Sequence, residues 1–373
     1  MTVVDNPAEH RPTLAAVAAR AGVSASTASL AFSGTGPVSD TTRERVLQAA
    51  RELNYGGPDP RARSLRRGRS GIVGVVLEER VRDAFRDPIK IATLDGLSEE
   101  IGAVDAALLV LTDVEADEAA REGRNPVTLR DAPLDGAVLM GCSARFEESV
   151  AALRARGVPI VAIEGDPGDP DVPMILQDNR EATRRGAEHL KQLGHERVAV
   201  VALPIDKEHR RAPLTPEREA AGVNAITIER LQGARDVFPD APAYTAAGSY
   251  VEEGRLVALE LLSGEASDRP TAIIAQSDLL AAGVIRAAEE LGIAVPGELS
   301  VIGFDGVKVD GLWPYDLTTL VQPAVDKGRA AGRALVAMLA GEAPETHHFT
   351  SEFHEGNTTA APAAVPAALA PAR

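Results

Sequence analysis

The sequence predicts a small all-α helix-turn-helix domain followed by a large α/β domain of two lobes, each lobe a doubly wound parallel sheet. Three observations carry this. Residues 13–54 hold three short segments of helical periodicity separated by very short turns. From residue 71 to about 360, short apolar runs alternate with amphipathic stretches. The charge is also divided: residues 1–70 contain ten Arg against six acids, net +4, whereas the whole chain of 373 residues stands at −16, which leaves −20 for the rest. A basic end on an acidic body suits a polyanion that attracts one part and repels the other, although a solvated basic tail gives the same count.

In the first segment Thr13 can cap a helix in which Leu14, Val17, Ala18 and Ala21 share a face, and Gly22 stands where the chain must turn left-handed. After Val23, Ser24 can cap a second helix, Ala25 to Ala31, with Ala28 and Ala31 inward and Ala25, Ser26, Ser29 and Leu30 on other faces. Two helices joined by about three residues including a glycine are the pattern of a helix-turn-helix, whose second helix enters the DNA major groove. A third helix starts after Ser39 and runs through Val46, Ala49 and Leu53 until Asn54, Gly56, Gly57 and Pro58 break it. Residues 58–70, PDPRARSLRRGRS, carry five Arg against one Asp and read by themselves as a basic linker.

Beyond residue 70 the strand candidates are 71–77, 105–112, 136–141, 159–163, 197–203, 271–277 and 299–305, with helices over stretches such as 89–102, 146–156, 180–193, 278–291 and 325–340. Seven or more strands in this length require two sheets, and ligands of such sheets bind at the carboxyl ends of the strands, here between the lobes. Aromatic residues are 3% of the chain, so the cores must be aliphatic. The single cysteine, Cys142, allows neither an internal disulfide nor a cysteine metal cluster. There is no run of 18 apolar residues and no signal-peptide pattern in MTVVDNPAEHRP, so the expected location is the cytoplasm, away from any membrane.

The stretches TLAAVAARAGVSASTASLAFSG (13–34) and PVSDTTRERVLQAARELNY (37–55) resemble the N-terminal module of the lactose-repressor (LacI/GalR) family, through the V-A-x-x-A-G-V-S turn, the V-S-x-x-T-R-x-x-V third helix and the closing L-N-Y. The resemblance implies a sequence-specific transcription regulator, read here as a repressor, whose base readers fall on Ala25, Ser26 and Leu30. DNA contacts are expected from Thr13, Ser24, Ala25, Ser26, Thr27, Ser29 and Leu30. Leu30 stands where many members carry Arg, which replaces a bidentate guanine contact by an apolar one such as with a thymine methyl. Residues 58–70 become a hinge helix that folds on DNA, with Arg61, Ala62, Arg63 and Leu65 at the duplex and Leu65 the wedge in the minor groove. A homodimer on a near-palindromic operator follows. The large part is similar to the family's periplasmic-binding-protein-like (type I) domain, binding a small-molecule effector: a sugar, sugar derivative or nucleoside-like compound.

The implied boundaries are a tail at 1–11, the DNA-binding domain at 12–57, the hinge at 58–70, the effector domain at 71–360 and a tail at 361–373. The N-lobe takes 71–178 and 323–345, the C-lobe 179–322 and 346–360. Effector contacts are expected from Phe85, Asp87, Glu164, Asp178, Arg230, Ser249, Ser277, Asp305 and Gln322. Read alone, Asp278 is a helix cap and Arg230 a surface residue at a helix start. Ser249 and Ser277 replace the Trp and Asn of the sugar-binding prototype, which removes a stacking indole. Residues 204–227, rich in charge and Pro, either cover the cleft entrance or form a solvated loop.

No cofactor and no catalysis are expected. GIVGVV is not a dinucleotide fingerprint, and neither a phosphate loop nor G-x-S-x-G occurs. His189 and His195, in HLKQLGH, lack the spaced partners of a zinc site, His347 and His348 point apart on a strand, and Cys142 has no nearby His. A periplasmic-type solute-binding protein and a sugar- or nucleoside-converting enzyme are the competing classes. The tail lacks leucine heptads, which favours a dimer over a tetramer.

Overall fold

The computed structural model describes residues 12–34, 36–57, 68–77, 79–112, 128–141, 146–165 and 167–363. The hinge residues Arg61, Ala62, Arg63 and Leu65 lie outside them, as does Cys142. The chain divides into two units, Met1–Gly71 and Ile72–Arg373.

The first unit is three helices, α1 (Leu14–Ala21), α2 (Ala25–Ser33) and α3 (Asp40–Glu52). Each starts on a hydroxyl cap: Thr13 accepts from the Ala16 amide, Ser24 from Thr27 and Ser39 from Thr42. Gly22, at φ 66°, ends α1, and its N–H reaches the carbonyls of Ala18 and Ala19. The chain turns by 101° from α1 to α2, within the range of a helix-turn-helix. Val17, Ala18, Ala21, Ala28, Ala31, Val46, Ala49 and Ala50 form its small core, and Phe32 meets Tyr55 edge to face at 5.6 Å.

In the second unit the N-lobe contains β1 (Ile72–Leu77), α4 (Val81–Ala84), α5 (Pro88–Gly102), β2 (Ala107–Thr112), β3 (Gly136–Met140), α6 (Phe146–Arg154), β4 (Ile160–Ile163) and β5 (Met174–Gln177). The C-lobe then follows as α7 (Asn179–Gln192), β6 (Val198–Ala202), β7 (Ala212–Pro213), α8 (Pro216–Ala220), α9 (Ala225–Arg235), β8 (Ala243–Thr245), α10 (Val251–Leu262), β9 (Ala272–Ala275), α11 (Asp278–Glu290), β10 (Ser300–Asp305) and β11 (Thr318–Val321). The chain returns to the N-lobe for α12 (Ala324–Leu339) and β12 (His347–Phe349), and ends on the C-lobe with β13 (Glu352–His354).

The sheets run β12-β5-β4-β3-β1-β2 and β13-β11-β10-β9-β6-β8-β7. All pairs are parallel except β13 with β11 and β7 with β8 at the outer edges. The central strands are buried on both faces, which is why they read as unbroken apolar runs. The chain passes between lobes after Gln177, after Val321 and between Phe349 and Glu352. The last crossing falls later than the 345–346 boundary read from sequence, because His347–Phe349 fills an open edge beside β5. Residues 204–227 are ordered in the C-lobe. Ile205 is buried, β7 covers the sheet edge, and Arg218 binds Asp206 at 2.7 Å, Thr245 at 3.1 Å and the Pro213 carbonyl at 3.0 Å.

Candidate effector site and DNA-binding face

The three crossings bring the carboxyl ends of β4 and β10 to one place, and each of those ends is an acid in a strained backbone. Glu164, after β4, has φ 59° and Asp305, at the end of β10, has φ 125°; a side chain rarely adopts either, and such strain persists where the surroundings over-determine it. Both are buried.

Asp305 belongs to a chain of buried polar groups. Its Oδ1 accepts from Gln322 Nε2 at 2.7 Å and lies 3.6 Å from a guanidinium nitrogen of Arg230. Arg230 is buried on α9 and already committed: Nε donates to Asn179 Oδ1 at 2.8 Å, a second nitrogen donates to the Gln276 carbonyl at 2.5 Å, and the guanidinium carbon lies 3.6 Å from the centre of the Phe304 ring. Gln276 is held by its own side chain, which accepts from the Leu203 amide and donates to the Thr227 carbonyl, both at 3.0 Å. On the N-lobe side Lys327 Nζ donates to Glu164 Oε1 at 2.5 Å and to Gln322 Oε1 at 2.8 Å.

These acids divide electrostatically. Burial pushes the Asp305 carboxyl well above the ordinary carboxylate range; Arg230 opposes this, while the charges of Asp278 and Asp87 add to it. Burial also acts on Glu164, but Lys327 and then Arg230 outweigh it and hold that carboxyl below its ordinary value. Asp87 caps α5 through the Ile89 amide at 3.0 Å and is raised by burial, with Arg230 lowering and Glu164 raising it. Glu229, next to Arg230 on α9 and bonded to the Asn179 side chain, is likewise raised, by partial burial of its carboxyl. The Tyr250 hydroxyl, from the C-lobe, faces Asp83 of α4, from the N-lobe; burial first and then that carboxylate raise its pKa.

Two family models match the chain. One, described as bacterial regulatory proteins of the lacI family, covers residues 13–57, and the other, a periplasmic binding protein-like domain, covers 187–359. The HTH-type transcriptional regulator IpsA of Corynebacterium glutamicum is 32% identical over 357 residues, 93% of this chain and 97% of that one. The chain belongs to the lacI family of bacterial regulatory proteins. Another relative, the HTH-type transcriptional repressor CytR of Escherichia coli strain K12, is 30% identical over 90% of this chain and 92% of its own. The crystal structure of a LacI-family transcriptional regulator from Corynebacterium glutamicum superposes with a TM-score of 0.67 at 27% identity, covering 93% of this chain and 98% of that one.

This lacI-family regulator therefore couples a DNA-binding helix-turn-helix to an effector-binding domain. Of the residues named for DNA contact, Thr13, Ser24, Ala25, Ser26 and Leu30 are exposed, and Thr27 and Ser29 are partly so. Ser24 meets the hydroxyls of Ser26 and Thr27, each at 2.8 Å. Leu30 is 37% exposed and its methyl groups lie over Gly36, so its side chain is braced by its own domain.

Of the residues named for the effector, Arg230, Asp305 and Gln322 are joined directly, Glu164 joins through Lys327, and Asp87 lies within their field. Read alone, Arg230 looked like a surface residue; it is 3% exposed instead, because Asn179, Gln276 and Phe304 surround its head. Ser277 caps α11 through the Leu280 amide and accepts from Ser249 at 2.8 Å. Phe85, at the end of α4, is 50% exposed. Asp178 is placed otherwise: its carboxylate clasps the crossing segments, accepting from the Ser351 amide at 2.8 Å, the Ser351 hydroxyl, Gln177 and Arg185. The cap role read for Asp278 belongs to Ser277, because Asp278 turns to β10 and β11. It accepts from Thr319 Oγ1 at 2.6 Å and the Val307 amide at 2.8 Å, in space that Gly303 leaves open. Lys327, Gln276 and Asn179 were missed. Lys327 had a signal: with Ala324, Ala331 and Leu335 it occupies the apolar stripe of α12, where a lysine needs a buried partner.

Proposed function

We propose that this regulator is a non-catalytic cytoplasmic repressor that binds a near-palindromic operator as a homodimer and is switched by an uncharged, polyhydroxylated effector: a sugar, sugar derivative or nucleoside. The observation that carries the reading is the pair of strained, buried acids, Glu164 and Asp305, ending strands of opposite lobes around a guanidinium that donates to Asn179 and to the Gln276 carbonyl. Carboxyl groups at strand ends accept from hydroxyls, and one effector spanning both lobes favours their closed arrangement by its differential affinity. Lys327 is spent on Glu164 and Gln322 and Arg230 faces Asp305, which leaves little free positive charge and disfavours an anionic effector. Ser249 supplies a hydroxyl where a stacking indole would hold a pyranose face. Closure then alters operator affinity, and linkage requires operator to alter effector affinity by the same factor. The repressor reading is supported by the name of the relative CytR, and the dimer by the two-fold symmetry that paired half-sites demand.

The test pairs selection of bound genomic fragments with a thermal-shift screen of uncharged sugars, polyols and nucleosides against their phosphates and carboxylates. Uncharged hits that stabilise the wild type but not Arg230→Met, and that alter binding to the selected fragment, are the expected result. Hits confined to the anionic set, or equal stabilisation of the variant, would overturn the site assignment.

A further inference from the structure

Lys327 is the most buried cation among the described residues, and it donates to two of the expected effector positions, Glu164 and Gln322. It is 2% exposed, on the first turn of α12, a helix that packs against α5 and β4. An ammonium group only donates, so the Gln322 oxygen must face Lys327, and this leaves the Gln322 NH2 facing Asp305. The orientation of that amide, free to flip on its own, is therefore fixed by Lys327. The same ammonium holds Oε1 of Glu164. Glu164–Lys327–Gln322–Asp305 is thus one continuous strap from the N-lobe through the second crossing to the C-lobe. Among the described residues, no hydrogen bond reaches the second oxygen of either acid. Each acid is pinned by one oxygen and offers the other.

Resting on the effector-site reading above, we propose that Lys327 is a positioning residue: through Gln322 it orients Asp305 and ties it to Glu164, so that the two lobes present their carboxyls as one unit and move together when operator affinity changes. Removing the ammonium frees Gln322 to flip, lets Asp305 relax from its strained conformation and uncouples the lobes. Any fitting apolar side chain at 327 would satisfy packing alone, so the coupling separates the two roles.

The experiment measures affinity of the full-length protein for its own selected operator fragment, with amide hydrogen exchange alongside, in wild type, Lys327→Met, Lys327→Arg and Gln322→Glu. Gln322→Glu keeps an oxygen for Lys327 but removes the donor to Asp305. The expected result is a change in operator affinity of at least about fivefold in Lys327→Met and Gln322→Glu. With it goes faster exchange at the Gln322 amide, which bonds the Asp305 carbonyl at 3.1 Å, with β6 and β9 still protected. Lys327→Arg retains wild-type values within about twofold. Operator affinity within twofold of wild type in a folded Lys327→Met, or in Gln322→Glu should Lys327→Met lose protection throughout, overturns the proposal. If that occurs while Arg230→Met still abolishes stabilisation by the uncharged hits, the strap falls and the site stands. If Arg230→Met leaves those hits intact, the site reading fails first.

Discussion

Ser24 shows how much one side chain can carry. Its hydroxyl accepts from the Thr27 amide at 3.1 Å, which starts α2, and meets Ser26 and Thr27 at 2.8 Å, which aims the exposed hydroxyls at that helix start. Replacing a serine cap by alanine costs about 1 kcal/mol, by glycine only a few tenths. Ser24→Ala is therefore expected to speed exchange of the α2 amides in the full chain about fivefold, with Ser24→Gly close to wild type. Operator affinity should fall in both, since both lose the hydroxyl. Alanine and glycine behaving alike in exchange would refute the cap role. Serine, glycine and alanine at these positions announce themselves in sequence, because caps and turns are local chemistry. Asp178, Asp278 and Lys327 do not. What each binds, Ser351, Thr319 and Glu164, is supplied by segments far away in sequence, and only the fold brings them together.

Helices were legible because periodicity, caps and breakers agree over ten or more residues, as in α5, α7 and α12. The strands missed were β5, β7, β8, β11 and β13, of two to four residues, two of them at sheet edges and all too short or polar for an apolar run; β13 is EFH. Their pairing partners, not their composition, make them strands. Helix packing leaves a sequence trace that periodicity ignores. A Cβ on Gly328 of α12 would lie 2.0 Å from the Thr93 carbonyl oxygen of α5, and one on Gly96 1.9 Å from that of Val325, so the two helices meet backbone to backbone. Gly102, also on α5, has nothing within 4 Å. Gly328→Ala must push the helices apart and is expected to cost about 1–3 kcal/mol in urea denaturation. Gly102→Ala should be neutral or gain up to about 1 kcal/mol from helix propensity. Equal effects of the two would mean that the contact is not as close as described.

At the scale of the whole molecule the effector domain is a shell around buried acids, and this sets its response to pH. Burial pushes Asp278 up to about 7 and raises Asp87 and Asp305. An acid raised in the folded state binds its proton more tightly there than in the unfolded chain. Its contribution to stability is complete below the ordinary value of 3.8 and is lost as pH rises through about 7. Other groups run the opposite way: Glu164 is lowered, and His189 and His195 are lowered by burial, so their contributions are lost as pH falls. The overall profile is a sum of both signs, and a difference between variants isolates one of them. Asp278→Asn is suited to this, since the amide oxygen can accept from Val307 N while the Thr319 hydroxyl rotates to accept from the new NH2. The melting temperature of the wild type relative to Asp278→Asn is expected to be highest near pH 5 and to fall steadily toward pH 8, where the variant is at least as stable. A difference that does not vary over that range would mean that Asp278 is ionised throughout, and that Thr319 and the Val307 amide suffice to hold its charge inside the lobe.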